Sequence, residues 1–96
     1  MKVKVDAELE DIFPTYLKNR AADMIELEKE LASENFDQMR HIAHKIVGNA
    51  AGYGLEGLSH FSRQLESAAK SKDLPNCQKS FENMATYLSD LELVFE

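Results

Sequence analysis

Ala43-His44-Lys45-Ile46-Val47-Gly48-Asn49-Ala50-Ala51-Gly52-Tyr53-Gly54 is the stretch on which the reading of this chain turns. It sets a histidine four residues before a glycine, in a segment whose apolar positions repeat with helical period. On a helix, residues four apart stand almost above one another, so Gly48 leaves bare backbone beside the imidazole of His44. An interior glycine costs a helix roughly 1 kcal/mol relative to alanine, so its place here needs a reason other than helix formation.

Working outward, Asn35 followed by Gln38 resembles a capping box that opens this helix, and Phe36, Met39, Ile42, Ala43, Ile46 and Ala50 turn toward a core. The Gly52-Tyr53-Gly54 cluster closes it. Upstream, a short helix is expected over residues 6–12 and is interrupted near Pro14, which disfavours helical geometry at Phe13. A longer helix then runs from about Pro14 to Ala32, with Phe13, Leu17, Ala21, Met24, Leu27 and Leu31 on one face. Downstream, a helix is expected from Glu56 to Lys72, with Leu58, Phe61, Leu65, Ala68 and Ala69 inward. Asp73 and Pro75 start the last helix, where Leu74, Cys77, Phe81, Met84, Leu88, Leu91 and Phe95 alternate three and four residues apart as a bundle seam. No strand is expected, because no period-two stretch is read. The fold class is all-α: an antiparallel up-down four-helix bundle with a short extra N-terminal helix, forming one domain over residues 1–96.

Composition narrows the function. Ninety-six residues, 44% apolar and 29% charged, suffice for one core. A net charge of -6 argues against nucleic acid or an anionic membrane as the main partner. The lone Cys77 excludes an internal disulfide and a multi-cysteine metal site, and it fits a reducing compartment. With no long apolar run and no secretory leader, a cytoplasmic protein is expected. Cys77 and the methionines Met24, Met39 and Met84 read as core fillers.

Read as a wheel, the helix centred on Met39 and Ala50 places His44 about 140° from its apolar centre and His41 about 160° to the other side, so both face solvent. His41 and His60 read as ordinary surface residues. Around His44, by contrast, Gly48, Ala51 and Gly52 clear a flat lane, while Arg40 and Lys45 add positive charge to an acidic protein. Gln38, Lys45 and Asn49 share the polar face, and Val47 sits at the edge of the core stripe. A free imidazole has a pKa of about 6.5, so much of it is neutral and nucleophilic at neutral pH and can take a phosphoryl group without a general base. The chain shows no glycine-rich nucleotide loop, no paired carboxylates for Mg²⁺ and no Ser/His/Asp set. A metal site on His41 and His44 lacks an acidic partner in an inward Glu-x-x-His pattern. The expectation is a carrier and not an enzyme, with no metal site and no cofactor of its own.

These residues resemble the histidine-containing phosphotransfer (HPt) family of multistep two-component phosphorelays. The family signature, Ala-His-x-Leu/Ile-Lys-Gly with a second glycine six positions on, is matched by Ala43-His44-Lys45-Ile46-Val47-Gly48 and Gly54. The resemblance extends over essentially the whole chain. It implies that His44 is the phosphoacceptor, taking the phosphoryl group from the phosphoaspartate of a receiver domain and handing it to another receiver. It also implies that Arg40, His41, Lys45, Val47, Gly48, Ala51 and Gly52 form the supporting and docking surface, with Gly54 a structural turn. The expected partners are response-regulator receiver domains or a hybrid sensor histidine kinase, with Mg²⁺ held by the receiver. A monomer is expected, and an initiating Met1 with a clean last helix favours a stand-alone protein. One departure stands out: the family carries a lysine where this chain has Val47. Arg40, one turn below His44, is the first candidate for the missing charge and Lys45 the second. Val47 is also the sequence argument for the alternative function, a phosphorylation-independent adaptor that binds a receiver domain or kinase.

Overall fold

The computed structural model describes residues 1–96. In chain order they form strand β1 (Lys2–Val5), a 3-10 turn (Ala7–Leu9), helices α1 (Phe13–Ala32), α2 (Phe36–Gly52), α3 (Glu56–Lys70) and α4 (Leu74–Asp90), and strand β2 (Glu92–Phe95). The four helices make the all-α bundle that the apolar periodicity predicts, each helix packing on the next and α4 closing against α1.

The three helix–helix connections share one backbone solution. Glu34, Gly54 and Lys72 each adopt a left-handed conformation, with φ of 52°, 82° and 56°. In each turn the next residue donates its N–H back across the helix end: Asn35 to the Glu30 carbonyl, Leu55 to Ala50 and Asp73 to Ala68, all at 2.9 Å. The left-handed residue itself bonds to Leu31, Ala51 or Ala69, which completes a Schellman motif. Asn35 and Asp73 then serve at once as N-caps, their side chains accepting from the backbone N–H groups of Gln38 and Asn76. One residue thus ends the reversal and starts the next helix, which is why three-residue loops suffice.

The core runs along the bundle through Leu27, Met39, Ile46, Leu58, Leu65, Cys77 and Met84, all fully buried. Burial excludes water from the Cys77 thiol and, with the Asp73 carboxylate nearby, pushes its pKa up. Between α2 and α3 the buried residues are small, with Ala43, Ala50, Ser59, Ser62 and Ala69 admitting close backbones. Ser59 Oγ donates to the Val47 carbonyl at 2.9 Å across that seam. Between α3 and α4 the close approach falls at Gly57, where a Cβ would lie 2.4 Å from Cε2 of the buried Tyr87 ring.

Three expectations about the chain ends are corrected. In place of the predicted N-terminal helix over 6–12 there is a single 3-10 turn, Ala7–Leu9, that follows strand β1 and is capped by Asp6, whose carboxylate accepts from Glu8 N–H. The last helix stops at Asp90; Leu91 is extended, with ψ of 124°, so Phe95 reaches the core from a strand and not from a helical seam. The strands pair in parallel with Lys2 opposite Glu92 and Val5 opposite Phe95, contrary to the expectation of no strand. The physical reason lies in the up-down topology. An even number of helices returns the chain to the end at which it began, so two short segments rich in Val and Phe can satisfy each other's backbone groups. Glu92 N–H donates to the Met1 carbonyl at 2.8 Å and Glu96 N–H to Val5 at 2.9 Å. The Met1 ammonium donates to the Asp90 carbonyl, placing positive charge at the negative end of the α4 dipole. Phe95 meets the Phe13 ring edge-on at 5.7 Å.

Candidate functional site

Helix α2 buries Met39, Ile42, Ala43, Ile46 and Ala50 and exposes His41, His44, Lys45, Gly48, Ala51 and Gly52. The wheel therefore places both histidines correctly. Arg40, Val47 and Asn49 are half-buried along the edges. The side chain of His44 is 75% exposed. A Cβ built at Gly48 or Gly52 would meet nothing within 4 Å, so the lane beside the imidazole is open space.

The imidazole is nonetheless held. Its Nδ1 lies 2.8 Å from Oε2 of Glu66, on α3, in the only contact in which a carboxylate pairs with a histidine. A carboxylate only accepts, so in the neutral ring the hydrogen sits on Nδ1 and the lone pair on Nε2, the nitrogen not engaged by Glu66. Glu66 itself is more enclosed, its side chain 28% exposed, so the inner partner fixes the outer one. Sequence reasoning missed Glu66. The helix phase of α3 marks it as polar, but which residue of one helix lies level with His44 of its neighbour is set by interhelical stagger.

Asn49 departs from expectation. It does not stand on the free polar face; its Oδ1 accepts the Tyr16 hydroxyl at 2.6 Å, tying α1 to α2. Tyr16 stacks on Tyr53 at a centroid distance of 3.9 Å, and Arg20 lies 4.6 Å over the Tyr16 ring while pairing with Asp23 at 2.9 Å. Burial raises the Tyr16 pKa above its ordinary value, partly opposed by Arg20. Tyr53 thus packs over the turn against Phe13 and Tyr16. Gly54 takes its positive φ there, with its Cβ position 3.5 Å from Val5 Cγ1.

Four cations of α2 and α3 are unpaired. Arg40 and Lys45 on α2, and Arg63 and Lys70 on α3, form no ion pair, although the protein carries a net charge of -6. The arrangement is thus an exposed imidazole, oriented through Nδ1 by Glu66, beside open backbone and free positive charge. Chemically, that suits a nucleophile serving a large anionic partner.

A family model described as Hpt domain matches residues 8–93. The chain belongs to the Hpt family. Hpt domains carry out histidine phosphotransfer in two-component phosphorelays, acting as phosphocarriers that interact with receiver domains and kinases. No curated protein and no solved structure matches the chain in the corresponding comparisons. The four-helix architecture is that of an Hpt domain, and no helix of this Hpt domain is long and apolar enough to cross a membrane.

Proposed function

We propose that this Hpt domain carries a phosphoryl group on His44, accepting it from the phosphoaspartate of one receiver domain and passing it to another. The observation that carries the reading is the His44–Glu66 pair, which keeps Nδ1 protonated and leaves Nε2 as the exposed nucleophile.

In the forward step the Nε2 lone pair attacks phosphorus in line. The N–P bond forms as the acyl phosphate P–O bond breaks, and the electron pair leaves on the aspartate carboxylate of the receiver. No proton has to leave the ring, because Nε2 carries none. The positive charge that develops on the imidazole is stabilised by the Glu66 carboxylate at Nδ1. The reverse step regenerates the neutral ring. Phosphoryl transfer through a loose transition state depends mainly on alignment and charge neutralisation. This chain contributes the first through a rigid bundle; Mg²⁺ on the receiver contributes to the second, with no cofactor held by this chain. Arg40, His41, Lys45, Val47, Gly48, Ala51 and Gly52 form the face on which the receiver seats, and Gly48 supplies the clearance.

The test is incubation with a phosphorylated receiver domain and Mg²⁺. Wild type acquires label that is lost in acid and retained in alkali, as a phosphoramidate requires, while His44→Gln acquires none. Binding of the receiver without any label on wild type would favour the adaptor reading, and label persisting on His44→Gln would refute the assignment of the acceptor.

A further inference from the structure

The Glu66 carboxylate that orients His44 becomes a liability once Nε2 carries a phosphoryl group. Two like charges then share one imidazole, and a nearby cation is needed to offset them. Four cations are free to do so: Arg40, Lys45, Arg63 and Lys70. We propose that Lys70, delivered from α3, is the residue that binds the phosphoryl group on His44. The inference rests on the reading of His44 as the phosphoacceptor.

Helix geometry selects among the four. Side chains lean toward the N-terminus of their own helix. Arg40 stands one turn before His44 on α2 and is half-buried, so its guanidinium is less free than an exposed ammonium to close on a new anion. Lys45 lies about 100° round the helix from His44, on the flank where Asn49 meets α1. On α3 the face toward α2 is fixed at two points, by Ser59 Oγ on the Val47 carbonyl and by Glu66 on His44. Lys70 lies about 40° round from Glu66 and Arg63 about 60°. Lys70 stands one turn beyond Glu66, so its lean carries it back toward the Glu66–His44 pair across about 5.4 Å of helix. Arg63 leans the other way, toward the open lane at Gly48 and Ala51. Lys70 is exposed and in the last residue of its helix, so its ammonium is free to close on a new anion.

Potassium phosphoramidate tests this without a protein partner. Its nitrogen is already protonated as –NH3⁺ near neutral pH, so as Nε2 of His44 bonds to phosphorus the P–N bond breaks and its electron pair leaves with neutral ammonia. The phosphoryl ³¹P resonance then reports the midpoint of its second ionisation. With Lys70 in place the dianion is favoured, so Lys70→Gln raises that midpoint by about 0.5 unit, Lys70→Arg largely restores it and Arg40→Gln leaves it unchanged. The melting temperature of each variant separates this from a loss of helix stability, which would not move the midpoint. An unchanged midpoint in Lys70→Gln, or a shift carried by Arg40→Gln, overturns the assignment, as does failure of His44 to take the group from phosphoramidate. A parallel reaction with a phosphorylated receiver keeps the two readings apart. Wild type that is labelled by phosphoramidate but not by any receiver counts against receiver transfer, while the midpoint still judges Lys70.

Discussion

Glu66 Oε2 stands 2.8 Å from His44 Nδ1, joining the C-terminal half of α3 to the exposed face of α2. The pair fixes the tautomer of the neutral ring and, in the transfer proposed for His44, supports the charge that builds on the ring during attack. Glu66→Ala therefore slows phosphoryl transfer from a receiver by about 10-fold or more, as expected for loss of one orienting charged hydrogen bond. Glu66→Gln retains part of the rate, because an amide oxygen still accepts from Nδ1. The pair is mostly solvent-exposed on the histidine side, so the melting temperature changes little. A rate that Glu66→Ala leaves intact would remove Glu66 from the mechanism.

Gly48 weakens the helix and opens the lane, and the two effects can be separated. With nothing within 4 Å of its Cβ position, Gly48→Ala raises stability by about 0.5–1 kcal/mol. Gly48→Leu also folds as a bundle, but it fills the clearance beside His44 and abolishes transfer from the receiver. Urea denaturation paired with the label assay reads both. Transfer at the wild-type rate in Gly48→Leu would show that the lane is not where the partner seats.

Gly57 has the opposite character. Its missing side chain is occupied by the Tyr87 ring, whose Cε2 would lie 2.4 Å from an added Cβ. Overpacking outweighs the gain in helix propensity, so Gly57→Ala destabilises by about 1–3 kcal/mol. Denaturant titration of that variant against wild type measures the difference.

The left-handed turn residues offer gains in stability. Glu34 and Lys72 hold φ of 52° and 56° without being glycine. Glu34→Gly and Lys72→Gly each raise stability by about 0.5–1 kcal/mol, since a side chain in this conformation costs roughly 1–2 kcal/mol and glycine returns part of that as chain entropy. The converse, Gly54→Ala, destabilises. Thermal melts of the three variants check the sign at each turn.

High pH should loosen the bundle. Burial raises the pKa of Tyr16 and of Tyr87 above the ordinary phenol value of 10.0. In the unfolded chain both phenols lose their protons first, so the unfolded state binds fewer protons as pH climbs. Their contribution to stability is complete below about pH 10 and is lost as pH rises above it. The buried Cys77 thiol, raised from 9.0, adds to the loss in the same direction from about pH 9. Denaturation midpoints between pH 8 and 11.5 should fall, and less steeply in Tyr87→Phe.

The sequence alone determined the four helices, their inward faces and the exposure of His44, because these depend on the 3.6-residue period and on caps within a few residues. Asn35 and Asp73 announced their helix starts by type and position, and Gly48 announced the lane by being a glycine where a helix prefers another residue. Two features were legible only in part: Lys2-Val3-Lys4-Val5 does alternate with period two, but four residues are too few to outweigh a helical neighbourhood. Its partner lies at the far end of the chain, and Leu91 and Phe95 fit a helical seam as well as a strand. Only the tertiary structure decided that Glu66 meets His44, that Asn49 turns to Tyr16 and that the chain ends pair. Each of these depends on the stagger and separation of neighbouring helices, which arise from the packing of whole faces and leave no mark at a fixed sequence distance.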